Sequence, residues 1–329
     1  MAIHITDTDA RPERGPARAW HDHRDLPVAG TQPPPSACAG DVVLAYLRLQ
    51  VHALRSLEPA VRADEYDAVH QMRVATRRLR GTLRSFGQVV PRSDTMQLAA
   101  ELKWLGGVLG AARDGEVLPA HLRASLRSVP VELVIGPVQA RVQGHFAPLR
   151  AAAHAEALQA LDSPRYAALL TGLDRLAAGP LPGPLAASPA RDVLPAAVHR
   201  AYRQAARRMK RAQRAPRGPA RDAALHQARK SARRARYAAE ATRPVAGQRA
   251  SRFAREMKNV QSVLGEHQDA VLARQAAREL GIGAHLAGEN AFTYGLLYER
   301  ERQHAVRRQL EARAVWKHAS RPRYRKWMK

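Results

Sequence analysis

From Asp41 onward, apolar residues recur at helical spacing almost without interruption. In residues 69–86, Val69, Met72, Thr76, Leu79, Leu83 and Phe86 follow at steps of three and four, which puts them on one stripe of an α-helix. The same reading predicts helices over about 41–57, 63–86, 95–110, 113–128, 137–161 and 163–178, then over about 192–213, 220–242, 250–264, 267–280 and 285–317. Asp41 suits an N-cap, Pro137 suits a first helical turn, and Glu58-Pro59, Gly110 and Gly265 read as helix ends or turns. No stretch alternates in the manner of a strand, so the expected class is all-α.

Two stretches depart from that pattern. Residues 1–38 hold Pro, Gly, Arg and Asp with no apolar period and are expected to be a disordered tail. Gly179-Pro-Leu-Pro-Gly-Pro184 cannot be crossed by a helix. It divides the rest into halves spanning 39–184 and 185–329.

The halves repeat each other. Val69-His-Gln-Met-Arg-Val-Ala-Thr-Arg-Arg-Leu-Arg80 aligns without gaps on Leu225-His-Gln-Ala-Arg-Lys-Ser-Ala-Arg-Arg-Ala-Arg236, 156 positions later. Leu102-Lys-Trp-Leu-Gly-Gly-Val-Leu-Gly110 aligns on Met257-Lys-Asn-Val-Gln-Ser-Val-Leu-Gly265, 155 positions later, and Asp114 and Asp269 follow at equal spacing. Two blocks in the same order at nearly one offset indicate a tandem duplication, from which two pseudo-symmetric helical bundles are expected.

Charge gives the repeated helix its interest. One residue, about 100° of rotation, separates the apolar stripe from a second one made of His70, Arg73, Arg77, Arg80 and Arg84. The second copy supplies His226, Arg229, Arg233 and Arg236, flanked by Lys230 and Arg234. Ordinary exposed faces mix signs, yet residues 69–86 hold five Arg and no acid. Lying next to the core and occurring twice, these stripes are expected to meet around a basic central groove that an anion would neutralise. Arg suits phosphate through its planar fork and permanent charge. His70 and His226 read equally as hydrogen-bonded helix-face residues or as ligands. Lys103 and Lys258, which open the second repeated block, are expected to point at the same groove, and Asp114 and Asp269 to cap a helix or pair with an Arg.

The whole chain carries 54 Lys+Arg against 29 Asp+Glu, a net charge of +25. Such a surface attracts polyanions in a salt-dependent way. Nucleic acid is one candidate, but no zinc finger, basic zipper or other reader motif occurs, and aromatics for base stacking are only 5%. Non-specific nucleic-acid binding at low salt is the expectation that charge alone supports. For an enzyme the signs are poorer: there is no Gly-x4-Gly-Lys phosphate loop. Glu266, His267 and Asp269 form a conceivable metal cluster that reads better as capping and turn residues, and His21 and His23 read as solvated. No cofactor, metal or catalytic residue is therefore expected. The lone Cys38, the acids at the N-terminus and the lack of a long apolar run point to the cytosol, with no membrane partner.

The segment Val69–Arg80, with its partner Leu225–Arg236 and with Leu264-Gly-Glu-His-Gln-Asp-Ala-Val271, resembles the CHAD family, named for conserved histidines in an α-helical domain. The resemblance covers roughly residues 40–329. It implies two similar helical bundles about a basic surface that binds inorganic polyphosphate, and association with polyphosphate granules in bacteria. On that basis His70, Arg73, Arg77, Arg80, His226, Arg229, Lys230, Arg233 and Arg236 carry over as candidate ligands. Ala228 and Ala235 stand where larger apolar residues are usual, and Arg321-Pro-Arg-Tyr-Arg-Lys-Trp327 matches the family's basic-aromatic ending only loosely. The Glu-x-Glu-x-Lys motif of triphosphate-tunnel domains, fused to some members, is absent.

Overall fold

The computed structural model describes residues 37–328, so the stretch up to residue 36, with His21 and His23, lies outside the described residues. Among the described residues there is no strand, only an isolated bridge between Cys38 and Pro189. No helix there is long and apolar enough to cross a membrane.

The first helix, α1 (Ala39–Ser56), starts earlier than Asp41 suggests. Cys38, assigned to the tail from sequence, is its N-cap: Sγ accepts the Asp41 N–H at 3.4 Å. Asp41 instead sits in the first turn, where a carboxylate suits the helix dipole. Pro59 opens a short helix, α2 (Glu58–Arg62), rather than merely ending α1. The first repeat copy then forms α3 (Ala68–Ser85).

Two expected breaks are not there. A single helix, α4 (Arg92–Arg127), runs through Gly110, and a single run, α8 (Pro219–Leu286), passes through Gly265. A helical glycine costs only about 1 kcal/mol relative to Ala, which tertiary packing readily overrides. The break that α8 does contain is at Gly247, inside the gap expected between residues 242 and 250, where φ 53° and ψ −130° fall in a region that favours glycine. Pro244, which has no N–H to donate, lies just before it. This kink divides α8 into an N-arm (219–246) and a C-arm (248–286). The second repeat copy occupies the N-arm, and the blocks opening with Leu102 and Met257 lie on α4 and the C-arm.

Between these come α5 (Val138–Asp162), α6 (Pro164–Ala178) and α7 (Ala190–Arg214), close to their expected bounds. The last helix, α9, covers Phe292–Ala319. The punctuated stretch before α7 is tied to the start of α1: Ala39 N–H donates to Ser188 O at 2.8 Å and Ala190 N–H to Ala37 O at 3.0 Å. It also lies tightly on the α3–α4 turn, since a Cβ on Gly183 would stand 2.2 Å from the Val89 carbonyl oxygen.

The main core draws on both sides of residue 185, joining Leu47 and Leu54 of α1, Met72 and Leu79 of α3, and Leu105 of α4 with Leu194 of α7 and Phe253 and Met257 of α8. A smaller core gathers Leu122 and Leu126 of α4, Phe146 of α5, Leu280 of α8 and Leu297 of α9. Ala228 and Ala235 are fully buried. Where α3 meets the N-arm, a Cβ on Gly81 would lie 3.3 Å from the Tyr237 ring, so small residues here permit close approach.

Candidate functional site

Both repeat copies contribute to one cavity of about 840 Å³. His70, Arg73 and Arg77 reach it from α3, His226, Arg229 and Arg233 from the N-arm, and Lys258 from the C-arm. Their spacing is what delivers them: in each copy the His and the first two Arg fall at i, i+3 and i+7, one face of a helix.

These cations are poorly compensated. The buried Nε atoms of Arg73, Arg77 and Arg229, and Nδ1 of His226, have no hydrogen-bond partner. Buried donors normally find one, and each left unmade costs about 1–3 kcal/mol. Burial, then the nearby Arg77, lowers Arg73 to about 10. The same two causes bring Arg233 down to about 9. His226 is pulled to about 4 by desolvation, then by Lys230 and Arg229. The shifts of Arg73 and Arg233 report positive charge held where it is electrostatically unfavourable, and that of His226 a ring kept neutral by the same surroundings, a condition that a bound anion relieves.

Gly110 has a role here that its identity as a predicted turn concealed. The Arg73 guanidinium lies over it, with Nη2 at 3.3 Å from where a Cβ would stand. Asp114, one turn further along α4, lines the cavity, where desolvation pushes its carboxyl up while Arg73 opposes the rise. Asp269 faces the same space. Neither follows a turn, so neither caps a helix.

The remaining candidates are placed differently. Arg236 borders the cavity but is spent on a buried ion cluster: its Nε donates to Glu240 Oε1 at 2.6 Å, and Arg78 Nε donates to Oε2 at 3.1 Å. Arg234 donates to Gln204 at 2.6 Å. Arg80 and Lys230 stand outside the lining but close enough for Arg80 to depress Lys230, after desolvation and Arg233. Lys103 is exposed on α4 and does not reach the cavity. The trio Glu266, His267 and Asp269 is dispersed: His267 is buried against Asp222 at 3.2 Å, and Glu266 pairs with Arg308 at 2.8 Å.

Another part of the lining was invisible in sequence. His121 of α4 and Glu301 and His304 of α9 converge there. His121 Nε2 is 2.9 Å from Glu301 Oε2, and His304 Nδ1 is 3.8 Å from the same oxygen. Burial alone would raise the Glu301 carboxyl, but hydrogen bonds from the two histidines hold it at about 2. His121 is lowered by burial and raised beyond its ordinary value by Glu301. Among the described lining residues ten are Lys or Arg and five are Asp or Glu, so the acids cannot neutralise the wall.

The family model for the CHAD domain matches residues 45–278. The chain belongs to the CHAD-domain family. Its N-arm and the signature on α3 both lie inside that match, while α9 falls beyond it. Two uncharacterized proteins of Mycobacterium tuberculosis, MT2285 and Rv2226, are each 39% identical over 288 residues. The match takes in 86% of this chain but 53% of theirs, so the chain spans about half the length of these curated relatives. Among solved structures, PptA from Streptomyces chartreusis superposes with a TM-score of 0.72 at 23% identity, over 85% of this chain and 100% of that one. The CHAD domain of the plant Ricinus communis gives 0.67 at 25% identity, over 88% and 94%.

Proposed function

We propose that this CHAD-family chain binds inorganic polyphosphate in the cavity between α3, α4, α8 and α9, and does so without catalysing a reaction. The observation that carries the reading is the set of buried, unpartnered guanidinium donors on Arg73, Arg77 and Arg229. A linear chain of phosphates offers oxygens to several of them at once, and charge-assisted bonds to planar guanidinium forks are the strong kind. Arg80 and Lys230, just outside the lining, extend the positive potential for a ligand longer than the cavity. By this reading the protein associates with polyphosphate granules in the cell.

Non-specific nucleic-acid binding is the second reading, favoured by the net charge of +25. A duplex carries its phosphates on a stiff convex surface, whereas donors sunk in a cavity wall are reached by a thin flexible chain. Calorimetry with long-chain polyphosphate at about 0.15 M salt, with duplex DNA in parallel, separates the two. Tight polyphosphate binding with much weaker DNA binding is expected. Equal affinities that vanish together as salt rises would hand the lead to nucleic acid.

A further inference from the structure

We infer that His121, Glu301 and His304 form a site for one first-row divalent metal ion at the wall of the same cavity. The three ligand atoms lie within 4.8 Å of one another. Metal–ligand bonds of about 2.0–2.2 Å put neighbouring ligands about 3.3–3.6 Å apart around a tetrahedral ion. The observed separations of 2.9 Å and 3.8 Å, both measured to Glu301 Oε2, bracket that spacing. Only small side-chain movements are needed to admit an ion.

The construction is that of a built site. Glu301 and His304 stand one turn apart on α9, so both project from the same face, and His121 comes across from α4. The two imidazole rings lie nearly parallel, at 12°, with centroids 6.3 Å apart. Glu301 is 2% exposed, and such deeply buried carboxylates are paired or bind a metal. All three residues line the cavity, so further coordination positions open onto it, where water or a phosphate oxygen completes the shell. Two imidazoles and one carboxylate suit zinc, iron, cobalt or nickel in preference to calcium or magnesium.

Arg308 is the competing element. Its Nε–H donates to His304 Nε2 at 3.1 Å, which leaves the ring proton on Nδ1, the atom that must receive the metal. Binding therefore moves that proton to Nε2 and displaces Arg308 from the ring. Arg308 keeps two carboxylates, Glu266 and Glu311, so the displacement leaves its charge paired.

The test uses the full chain, stripped with a chelator and titrated with Co²⁺ alone, then with Zn²⁺ as competitor, and no polyphosphate is present. One equivalent of Co²⁺ is expected to bind, with a visible d–d spectrum that Zn²⁺ abolishes. Removing an outer-sphere partner typically costs 10–100-fold in metal affinity, so His121→Gln and His304→Gln, each losing a direct ligand, are expected to weaken it by more than about a hundredfold. His21→Ala/His23→Ala and Cys38→Ser are expected to change nothing. Absence of stoichiometric binding, or binding undiminished in the His121→Gln/His304→Gln chain, overturns the site. X-ray absorption of the zinc-loaded wild type guards against misfolded variants: two imidazoles and oxygen support the site, and a thiolate or all-oxygen shell refutes it. Because the metal is the only ligand present, failure here leaves the polyphosphate reading standing, and the converse also holds.

Discussion

The two copies of the repeated helix share one sequence pattern but not one set of partners. His70, Arg73 and Arg77 on α3 have matching partners in His226, Arg229 and Arg233 on the N-arm of α8, and all six reach the cavity. Beyond that shared stretch the copies part. Position 84 is Arg, whereas its counterpart 240 is Glu. On the N-arm Glu240 sits one helical turn past Arg236, accepts its Nε–H, and also takes Arg78 from α3. On α3, Arg80 has Arg84 in the same place, and after desolvation it is this like charge that depresses Arg80. Tyr237 fills the space opposite Gly81, which is its own counterpart in the first copy. In one copy the end of the basic stripe is a buried structural knot, and in the other it is positive charge beside positive charge. A single change of sign thus makes this end of the N-arm copy an anchor, while the arginines that both copies send to the cavity form the proposed clamp.

Breaking the anchor has the largest expected effect. Glu240→Ala removes the carboxylate that Arg78 and Arg236 share at 8% and 4% side-chain exposure. Losing one partner of a buried ion cluster costs on the order of 3–5 kcal/mol, and chemical denaturation should show it as a lower midpoint at unchanged slope. A loss below about 1 kcal/mol would mean that the knot is not structural. Breaking the clamp should spare stability and remove binding. In Arg73→Glu/Arg229→Glu, two charge-assisted interactions of about 1.5–3 kcal/mol each are exchanged for repulsion, so polyphosphate affinity should fall by more than about a hundredfold with helicity intact. Retained affinity would sink the cavity as the site.

The fold class was legible because period 3.6 is written into the apolar residues and survives any rearrangement of the helices. The repeat was legible for the same local reason, and it delivered most of the cavity's cations. What could not be read was where helices stop. Gly110 and Gly265 look like turns in sequence, but packing decides, and at Gly110 the missing side chain makes room for Arg73 instead of bending the chain. Charge neutralisation was equally hidden: Arg236 looks like Arg80, and only its neighbour at i+4 tells them apart. The trio His121, Glu301 and His304 was out of reach, since His121 lies 180 residues from Glu301 and no local spacing joins them.

Converting one copy into the other should have a moderate effect. Arg84→Glu gives α3 the sign pattern of the N-arm, replacing an i,i+4 repulsion with a pair at Arg80. Such exchanges are worth about 0.2–0.5 kcal/mol, so the unliganded protein should become slightly more stable. Polyphosphate affinity should fall several-fold, and the slope of log affinity on log salt should shrink by about 0.7 for each phosphate that the helix no longer neutralises. An unchanged salt slope would show that the ligand stops at the cavity and never reaches Arg80.

The smallest effect separates the two histidines that open the stripes. His226 sits at about 4 in the unliganded chain, depressed by desolvation and by Lys230, Arg229 and Arg233, while Gln268 opposes the shift. A neutral imidazole at pH 7 donates through one nitrogen and accepts through the other. Phosphates laid against it reverse the sign of its surroundings and raise its pKa, so the complex holds more proton than the free chain between the bound value and about 4. Affinity must therefore rise as pH falls through that window, by at most about tenfold per pH unit for one proton taken up. Isothermal titration in two buffers of different ionisation enthalpy counts the proton directly. In His226→Asn the rise should flatten by that one proton, leaving whatever His70 contributes. If the wild type and His226→Asn show the same pH slope, His226 stays neutral in the complex, and its place in the cavity is that of a hydrogen-bonding spacer between arginines.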